Sequence, residues 1–258
     1  MTTTEQNSNN KDAVDGLTVD ENEVAFFAKI ADSWWDPNGP FKPLHQLNPT
    51  RLNYIRQEVS RHYGLKDSPT PFEGLRLLDI GCGGGLISEP MCRLGADVVA
   101  VDASEKNIKT ASLHAERSGL EIDFRNNTAE ALAKAGEQFD VIVNMEVIEH
   151  VADVDAYLTA CRKLMKPGGI MLLSTINRTA KAYLFAIIGA EHVLRWLPVG
   201  AHDWNKFLKP EELASAVEKV GFTAAPPTGF VMNPLSQKWR LDNRDVAVNY
   251  AMSAVAEF

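Results

Sequence analysis

Cysteine is scarce in this chain of 258 residues: Cys82, Cys92 and Cys161 are all there is, and no two form a CxxC pair. That excludes a disulfide framework and a four-cysteine zinc cluster, and it suits a reducing cytoplasm. Positive charge is also short. Lysine and arginine number 26 against 34 aspartates and glutamates, a formal net charge of −8. A nucleic-acid binder needs the opposite bias to meet phosphate, so no nucleic-acid partner is expected. No apolar run reaches the roughly 18 residues of a spanning helix. The opening stretch, MTTTEQNSNNKDAVDG, is polar and has no arginine. It reads as neither a signal nor a transit peptide, and residues 1–22 are expected as a disordered tail. What is plentiful is apolar content, 45%, enough at this length for one buried core.

Beyond the tail, residues 23–36 read as a helix carrying Val24, Phe26, Phe27, Ile30, Trp34 and Trp35. A stretch broken by proline and glycine, DPNGPFKPLHQL, follows. Asn48 then reads as the cap of a second helix, with Pro49 at its first position and an end near Tyr63. From Leu75 apolar strands alternate with amphipathic helices. Strands are expected at 76–80, 97–102, 121–126, 139–144 and 169–177, with helices to Leu94, over 104–118 and over 154–165. The last of these stops at Lys166-Pro167-Gly168-Gly169. A helix over 210–220 leads to strand-like residues 222–231, and VAVNYAMSAVAEF closes the chain as an edge strand. The alternation predicts an α/β fold, a mostly parallel sheet covered on both faces.

The strongest local signal is Leu78-Asp79-Ile80-Gly81-Cys82-Gly83-Gly84-Gly85. Glycines at a strand-to-helix turn let the backbone approach a ligand and aim amide groups at it. Dinucleotide folds use the same device, but their fingerprint needs a third small residue where this chain has Leu86. Asp79, two residues before the first glycine, suits a cationic ligand better than a pyrophosphate; the alternative is a carboxylate that braces the loop. Asp102 ends the second strand beside the turn, where it could accept bonds from both ribose hydroxyls. The alternative there is a cap on the helix that begins near Ser104. Cys82 reads as a small filler.

Together with the fourth-strand exit Asn144-Met145-Glu146 and with Leu164-Met165-Lys166-Pro167-Gly168-Gly169, these residues resemble the class I S-adenosylmethionine-dependent methyltransferases over about 75–231. The resemblance implies a Rossmann-like sheet of seven strands with the last antiparallel. More particular stretches resemble the ubiquinone-biosynthesis O-methyltransferases from about residue 23 to 251. They are Ala31-Asp32-Ser33-Trp34-Trp35-Asp36, Gly39-Pro40-Phe41-Lys42-Pro43-Leu44-His45, Asn48-Pro49-Thr50-Arg51-Leu52, Met145-Glu146-Val147-Ile148-Glu149-His150, Ser174-Thr175-Ile176-Asn177-Arg178 and Gly200-Ala201-His202-Asp203-Trp204. This resemblance implies methylation of catechol-type hydroxyls on polyprenylated rings at both O-methylation steps, with another small phenol as the alternative substrate. It implies cofactor contacts at Arg51, Gly81, Asp102 and Met145, to which the glycine turn adds Asp79 and Gly83. Arg51 would meet the methionyl carboxylate with its guanidinium fork; otherwise it is a surface arginine. One methyltransferase domain over 23–258 is expected: a helical cover (23–63), a cofactor-binding core (75–177), an apolar insertion (178–205) and the C-terminal part of the sheet (206–258).

Methyl transfer to a phenol of pKa about 10 needs help with deprotonation near neutral pH. If the segment after the fourth strand is helical, Glu146, Glu149 and His150 share a face. They could hold magnesium, which would polarise the catechol oxygens. Alternatively His150 acts as the base, with Glu149 beside it, or the pair caps a local helix. His45 between the first two helices, and His202 and Asp203, are further candidates for the substrate pocket. Residues 181–198 are strongly apolar between Arg178, Lys181 and Arg195. They could dock peripherally on an anionic inner-membrane surface, where a polyprenyl substrate resides, or pack as a lid. Contacts with other ubiquinone-pathway proteins are a further expectation. Two rivals remain. A nicotinamide oxidoreductase fits poorly with Leu86, and a cofactor-binding regulator without catalysis stays open.

Overall fold

The computed structural model describes residues 18–184, 204–233 and 236–257. Five strands, β1 (Arg76–Ile80), β2 (Asp97–Asp102), β3 (Asp123–Asn126), β4 (Phe139–Met145) and β5 (Met165–Ile176), are parallel and stand in the order 3-2-1-4-5. β1, β2, β4 and β5 fall close to where apolar runs place them, because strands covered on both faces carry little polar residue, whereas β3, Asp-Phe-Arg-Asn, is partly exposed. β6 (Phe222–Ala224), β7 (Thr228–Met232), β8 (Trp239–Asp242) and β9 (Asn249–Ala256) complete one sheet. β9 runs antiparallel to β5 along seven residue pairs.

Among the described residues the sheet therefore has nine strands where seven were expected. β6 and β7 both pair with the same edge of β9, one near Ala254–Ala256 and the other near Asn249–Ala251. They are one strand position interrupted at Pro226-Pro227, since proline has no N–H to give the ladder. β8 is an added hairpin partner of β7. The C-terminal segment is also not at the edge. It lies between β5 and the β6/β7 strand, and Tyr250, Ala251 and Ala254 are fully buried.

Two helical layers flank the sheet. Leu132 of α5 (Ala129–Lys134), Leu158 and Cys161 of α6 (Val154–Leu164) and Leu213 of α8 (Pro210–Lys219) pack on the face of Leu78 and Ile142. Tyr54 and Ile55 of α2 (Lys42–Tyr63), Met91 of α3 (Ser88–Arg93) and Ile108 of α4 (Glu105–Arg117) pack on the face of Leu77 and Val141. Alternation along each strand thus fills both layers. A single turn, α7 (Ala180–Ala182), follows β5.

Several boundaries depart from expectation. Within the stretch expected as tail, Thr18 is 2% exposed and Val19 bridges to Val151. α1 spans Glu21–Ile30 and passes into a 3-10 turn over Ala31–Ser33, so Trp34 and Trp35 lie past its end. α2 begins at Lys42, with Pro43 in its first turn and Pro49 in its interior. Burial of Phe41 and Leu47 holds the turns upstream of Pro49 in the helix against the usual cost of an internal proline. Asn48 caps nothing; its side chain donates to the Leu86 carbonyl at 2.9 Å. The Lys166–Gly169 turn does not separate α6 from β5. It is absorbed into β5 as a register shift opposite Phe139 and Val141. Most of the apolar stretch 181–198, with His202 and Asp203, lies outside the described residues.

The central place of β9 has a direct consequence. Truncation before Asn249 removes the partner of β5 along its length and leaves apolar strand edges unpaired. Such a chain is expected to lose cooperative unfolding in circular dichroism, whereas an edge strand would be removable with a modest drop in melting temperature.

Candidate functional site

Strand order reverses between β1 and β4, where β1 has β2 on one side and β4 on the other. Chains leaving the carboxyl ends of such neighbours turn in opposite directions and open a crevice. Here it holds a cavity of about 260 Å³. Its floor includes Asp79, Gly81, Gly83, Asp102, Met145 and Glu149, and its roof is formed by Phe27, Ile30, Trp34, Phe41 and Leu44 of the N-terminal cover. Every cofactor-binding, catalytic and metal-ligating residue expected from sequence, Arg51, Glu146 and His150 included, lines this cavity, whereas His45 does not and His202 and Asp203 lie outside the described residues.

The glycine turn is held open from both sides. Gly81 and Gly83 sit at φ 67° and 53°, values that L side chains rarely adopt. A Cβ on Gly83 would lie 2.4 Å from the Trp34 ring, and one on Gly81 2.5 Å from Val147. The Gly83 N–H donates to Asp102 Oδ2 at 2.9 Å, joining the tips of β1 and β2. Asp102 Oδ1 accepts from the Ser104 N–H at 2.8 Å and from Asn107 Nδ2 at 3.1 Å. The helix cap itself is Ser104, whose hydroxyl accepts from the Asn107 N–H. Protein donors thus take three of the roughly four acceptor positions of this carboxylate.

Asp79 is buried and accepts from the Ser88 hydroxyl at 2.6 Å, so it does brace the start of α3. Burial pushes its pKa up to about 7, against the hydrogen bond from Ser88 and the charge of Arg51, with Asp102 adding to the rise. Arg51 is 4% exposed, which removes the surface alternative. One terminal nitrogen donates to Asn48 Oδ1 at 3.0 Å, while its Nε is buried with no protein partner. Burial pulls its pKa below the guanidinium norm, and Glu146 and Asp79 oppose that pull. An N–H without a partner in a lined cavity is a vacancy for an acceptor, because leaving it unpaired costs about 1–3 kcal/mol. Burial raises the Cys82 thiol well above its usual range, which leaves it as inert filler.

The segment after β4 is not an α-helix. Glu146 takes φ 59°, and a 3-10 turn spans only Ile148–His150. The helical spacing that was to align Glu146, Glu149 and His150 therefore does not apply. Each side chain has its own protein partner. Glu146 Oε1 accepts from the Ser174 hydroxyl at 2.7 Å, Glu149 Oε2 from the Thr175 hydroxyl at 2.9 Å, and His150 Nδ1 lies 3.3 Å from Glu23 Oε2. Hard oxygens and an imidazole suit magnesium by type, but no three such groups converge on a metal position among the described residues. As a preformed magnesium triad the arrangement does not fit. It is a charge cluster instead. Burial and then Glu146 raise the Glu149 pKa, and its Oε1 is buried without a partner. Burial disfavours the charged form of His150, yet Glu23, Glu149 and Glu146 together raise its pKa.

Sequence reasoning missed three contributors. Asn127, Thr128, Ala129 and Glu130 after β3 line the cavity, and no glycine or charge pattern announces them. Glu23 reaches His150 from α1, over a sequence separation that spacing rules cannot span. Trp34 was read as an apolar residue of the first helix, yet its ring covers Gly83 and its Nε1 donates to Asn107 Oδ1 at 3.0 Å. His45 holds the Trp34 carbonyl at 2.8 Å and lines a separate small hollow.

Comparison with known proteins agrees with this geometry. A family described as a methyltransferase domain matches residues 51–225. The ubiquinone biosynthesis O-methyltransferase of Dinoroseobacter shibae is 59% identical over 240 residues, 92% of this chain and 96% of its own. That of Cereibacter sphaeroides (strain ATCC 17029 / ATH 2.4.9) is 58% identical, covering 92% of this chain and 97% of its own. Among solved structures, a possible histamine N-methyltransferase from Thermotoga maritima superposes with TM-score 0.64 at 15% identity, over 91% of this chain and 100% of its own. Magnesium protoporphyrin IX methyltransferase from Synechocystis, with bound S-adenosylmethionine, gives TM-score 0.54 at 16% identity, over 90% and 97%. At such identities these two likenesses concern the fold.

Asp79 gives the site a pH signature without any ligand. Below about pH 4 its carboxyl is protonated whether the chain is folded or not. Between about 4 and 7 the unfolded chain releases the proton while the folded one keeps it, so folding stability falls as pH rises to the folded pKa. The loss is on the order of a few kcal/mol. Asp79→Asn keeps an acceptor for Ser88 and cannot ionise, so its melting temperature is expected to fall less than the wild type's from pH 5 to 7.5. Parallel curves for the two proteins would reject the assignment.

Proposed function

On the premise that the chain belongs to the ubiquinone biosynthesis O-methyltransferases, which use S-adenosylmethionine, we propose how its cavity holds the methyl donor and prepares a catechol-type hydroxyl of a polyprenylated ring. The observation that carries the assignment is the buried, unpartnered Arg51 Nε beside the buried Asp79 and the half-buried Glu146. Arg51 takes the methionyl carboxylate, Asp79 faces the donor's positive end, Asp102 takes a ribose hydroxyl, and Gly81, Gly83 and Met145 border it closely. Asn127–Glu130, beyond Asp102, bound the adenine end. When bound, the donor supplies an electrophilic methyl group on a sulfonium.

The chain's own task is to place the nucleophile in line and to remove its proton. Displacement needs the two reactants within about 3–3.5 Å and aligned, and the apolar roof from Phe27 to Leu44 excludes water while the ring packs beneath it. His150 is the base. Glu23 at its Nδ1 fixes the ring, and the neighbouring carboxylates raise its affinity for a proton toward that of a phenol, which improves the transfer. Glu149 stands behind it as the charge that favours the imidazolium once formed. Activity at both O-methylation steps follows if the same roof accepts either ring. Docking at an anionic membrane surface through 181–198 is supported by its first described residues: Tyr183 and Leu184 are 44% and 54% exposed. No helix among the described residues is long and apolar enough to cross a membrane.

In a labelled methyl-transfer assay with a prenylated catechol, His150→Ala is expected to lower kcat by about 100- to 10,000-fold. Rescue by magnesium after chelation of an inactive wild type would reassign deprotonation to a cation held by these carboxylates. Turnover of soluble catechols alone would favour the smaller phenolic substrate. Arg51→Ala is expected to weaken S-adenosylhomocysteine binding by about 10- to 100-fold in calorimetric titration. An unchanged affinity would remove Arg51 from the donor site.

A further inference from the structure

Asn48 and Arg51 stand three residues apart on α2, so their side chains share one face of the helix. Asn48 is gripped at both ends. Its Nδ2 donates to the Leu86 carbonyl at 2.9 Å, and its Oδ1 accepts from Arg51 Nη2 at 3.0 Å. A carbonyl can only accept and a guanidinium can only donate, so both partners require the same orientation of the amide. Leu86 follows the glycine turn, is 5% exposed and packs in one cluster with Trp34 and Phe41. The amide is thereby tied to the backbone that borders the cavity. Arg51 itself is buried, lines the cavity, and takes part in no ion pair among the described residues. Asp79 and Glu146 act on it by charge alone, and its hydrogen-bond partner is the neutral Asn48. A buried cation is ordinarily paired with an anion. This one is held by a group without charge.

We infer that Asn48 is a positioning residue which orients Arg51 toward the methionyl carboxylate of the methyl donor and, being neutral, leaves the guanidinium charge available to it. The guanidinium is planar and rigid, so a grip on Nη2 restricts the direction of the Nε–H, which is buried without a partner. An aspartate at position 48 could hold Nη2 equally well. Its charge, however, would satisfy the cation from within the protein, and it would have no proton to give the Leu86 carbonyl. A ligand would then gain little by bringing a carboxylate. The amide supplies orientation alone, and the cost of an underpaired buried cation is relieved when the donor binds. Through Leu86 the same amide keeps Arg51 in register with the glycine turn, so one side chain links the two parts of the donor site.

This inference rests on the donor site proposed above, and one set of titrations separates the two. S-adenosylhomocysteine and its decarboxylated analogue, which keeps the amine, are titrated calorimetrically into the full chain and into Asn48→Ala, Asn48→Asp and Arg51→Ala. The wild type is expected to bind the carboxylate form about 10- to 100-fold more tightly. Arg51→Ala is expected to bring the two affinities close together. In both Asn48 variants the preference is expected to shrink several-fold, since one frees the guanidinium and the other neutralises it. A ratio taken within one protein is insensitive to the fraction folded, and melting curves of each variant check that fraction. A preference unchanged in either Asn48 variant would overturn the inference, while its collapse in Arg51→Ala keeps the donor site standing. A wild type without the preference would overturn the donor site itself.

Discussion

One hydrogen bond organises the site: the Gly83 N–H to Asp102 Oδ2, from the turn after β1 to the tip of β2. It forms because the two strands are parallel neighbours in register, with Ile80 opposite Val101, and because Gly83 adopts a backbone conformation with φ 53°. A side chain at Gly83 would be strained by that φ and would strike Trp34. The glycine is thus required twice, by its own dihedral and by the tryptophan placed upon it. A bond of this kind, with an ionised acceptor and little water, is stronger than its exposed counterpart. It ties the loop that meets the ligand to the acid that orients it.

Charge decides what such a crevice can hold. Asp79, Asp102, Glu146, Glu149, Glu23 and Glu130 line it, against Arg51 and His150. Nicotinamide dinucleotides carry a pyrophosphate, whose two negative charges would meet this excess of carboxylates with one fixed cation in compensation. A sulfonium with an ammonium and a single carboxylate reverses that balance. In the proposed placement its cations face Asp79 and its neighbours, and its carboxylate answers the unpartnered Arg51 Nε. Burial sharpens the preference, because charges removed from water are costly unless matched. Burial, more than neighbouring charge, raises the pKa values of Asp79 and Glu149.

The sequence made part of this legible. β1, β2, β4 and β5 read correctly because strands buried on both faces are largely continuous apolar runs, and the glycine turn and Asp102 follow from their position at strand ends. What misled was local chemistry overruled by packing. Pro49 looked like a helix start, but burial of Phe41 and Leu47 extends α2 a full turn and more upstream. VAVNYAMSAVAEF looked like an edge, but only pairing across long sequence separation reveals β9 between β5 and β7. The segment Glu146–His150 looked helical by spacing; the left-handed Glu146, held by the Ser174 carbonyl and hydroxyl, turns the chain away. Asn107 and Glu23 gave no signal, because each matters only through a partner that topology supplies.

The cover shows why those partners matter. α1 has ten residues and none is buried, and isolated helices of that length are marginal in water. Its order must come from what its ends grip. Asp20 and Glu23 bind Lys206 at 3.0 and 3.2 Å, Glu23 also meets His150, and beyond the helix Trp34 and Trp35 fasten to Asn107 and Gly84. The same contacts that order the cover therefore reach His150, the proposed base, at one end of the cavity and, through Asn107, Asp102 at the other. In the proposed site the cover thus touches both the base and the residues around the donor. The segment that excludes water from the reaction is in this way the segment that completes its machinery.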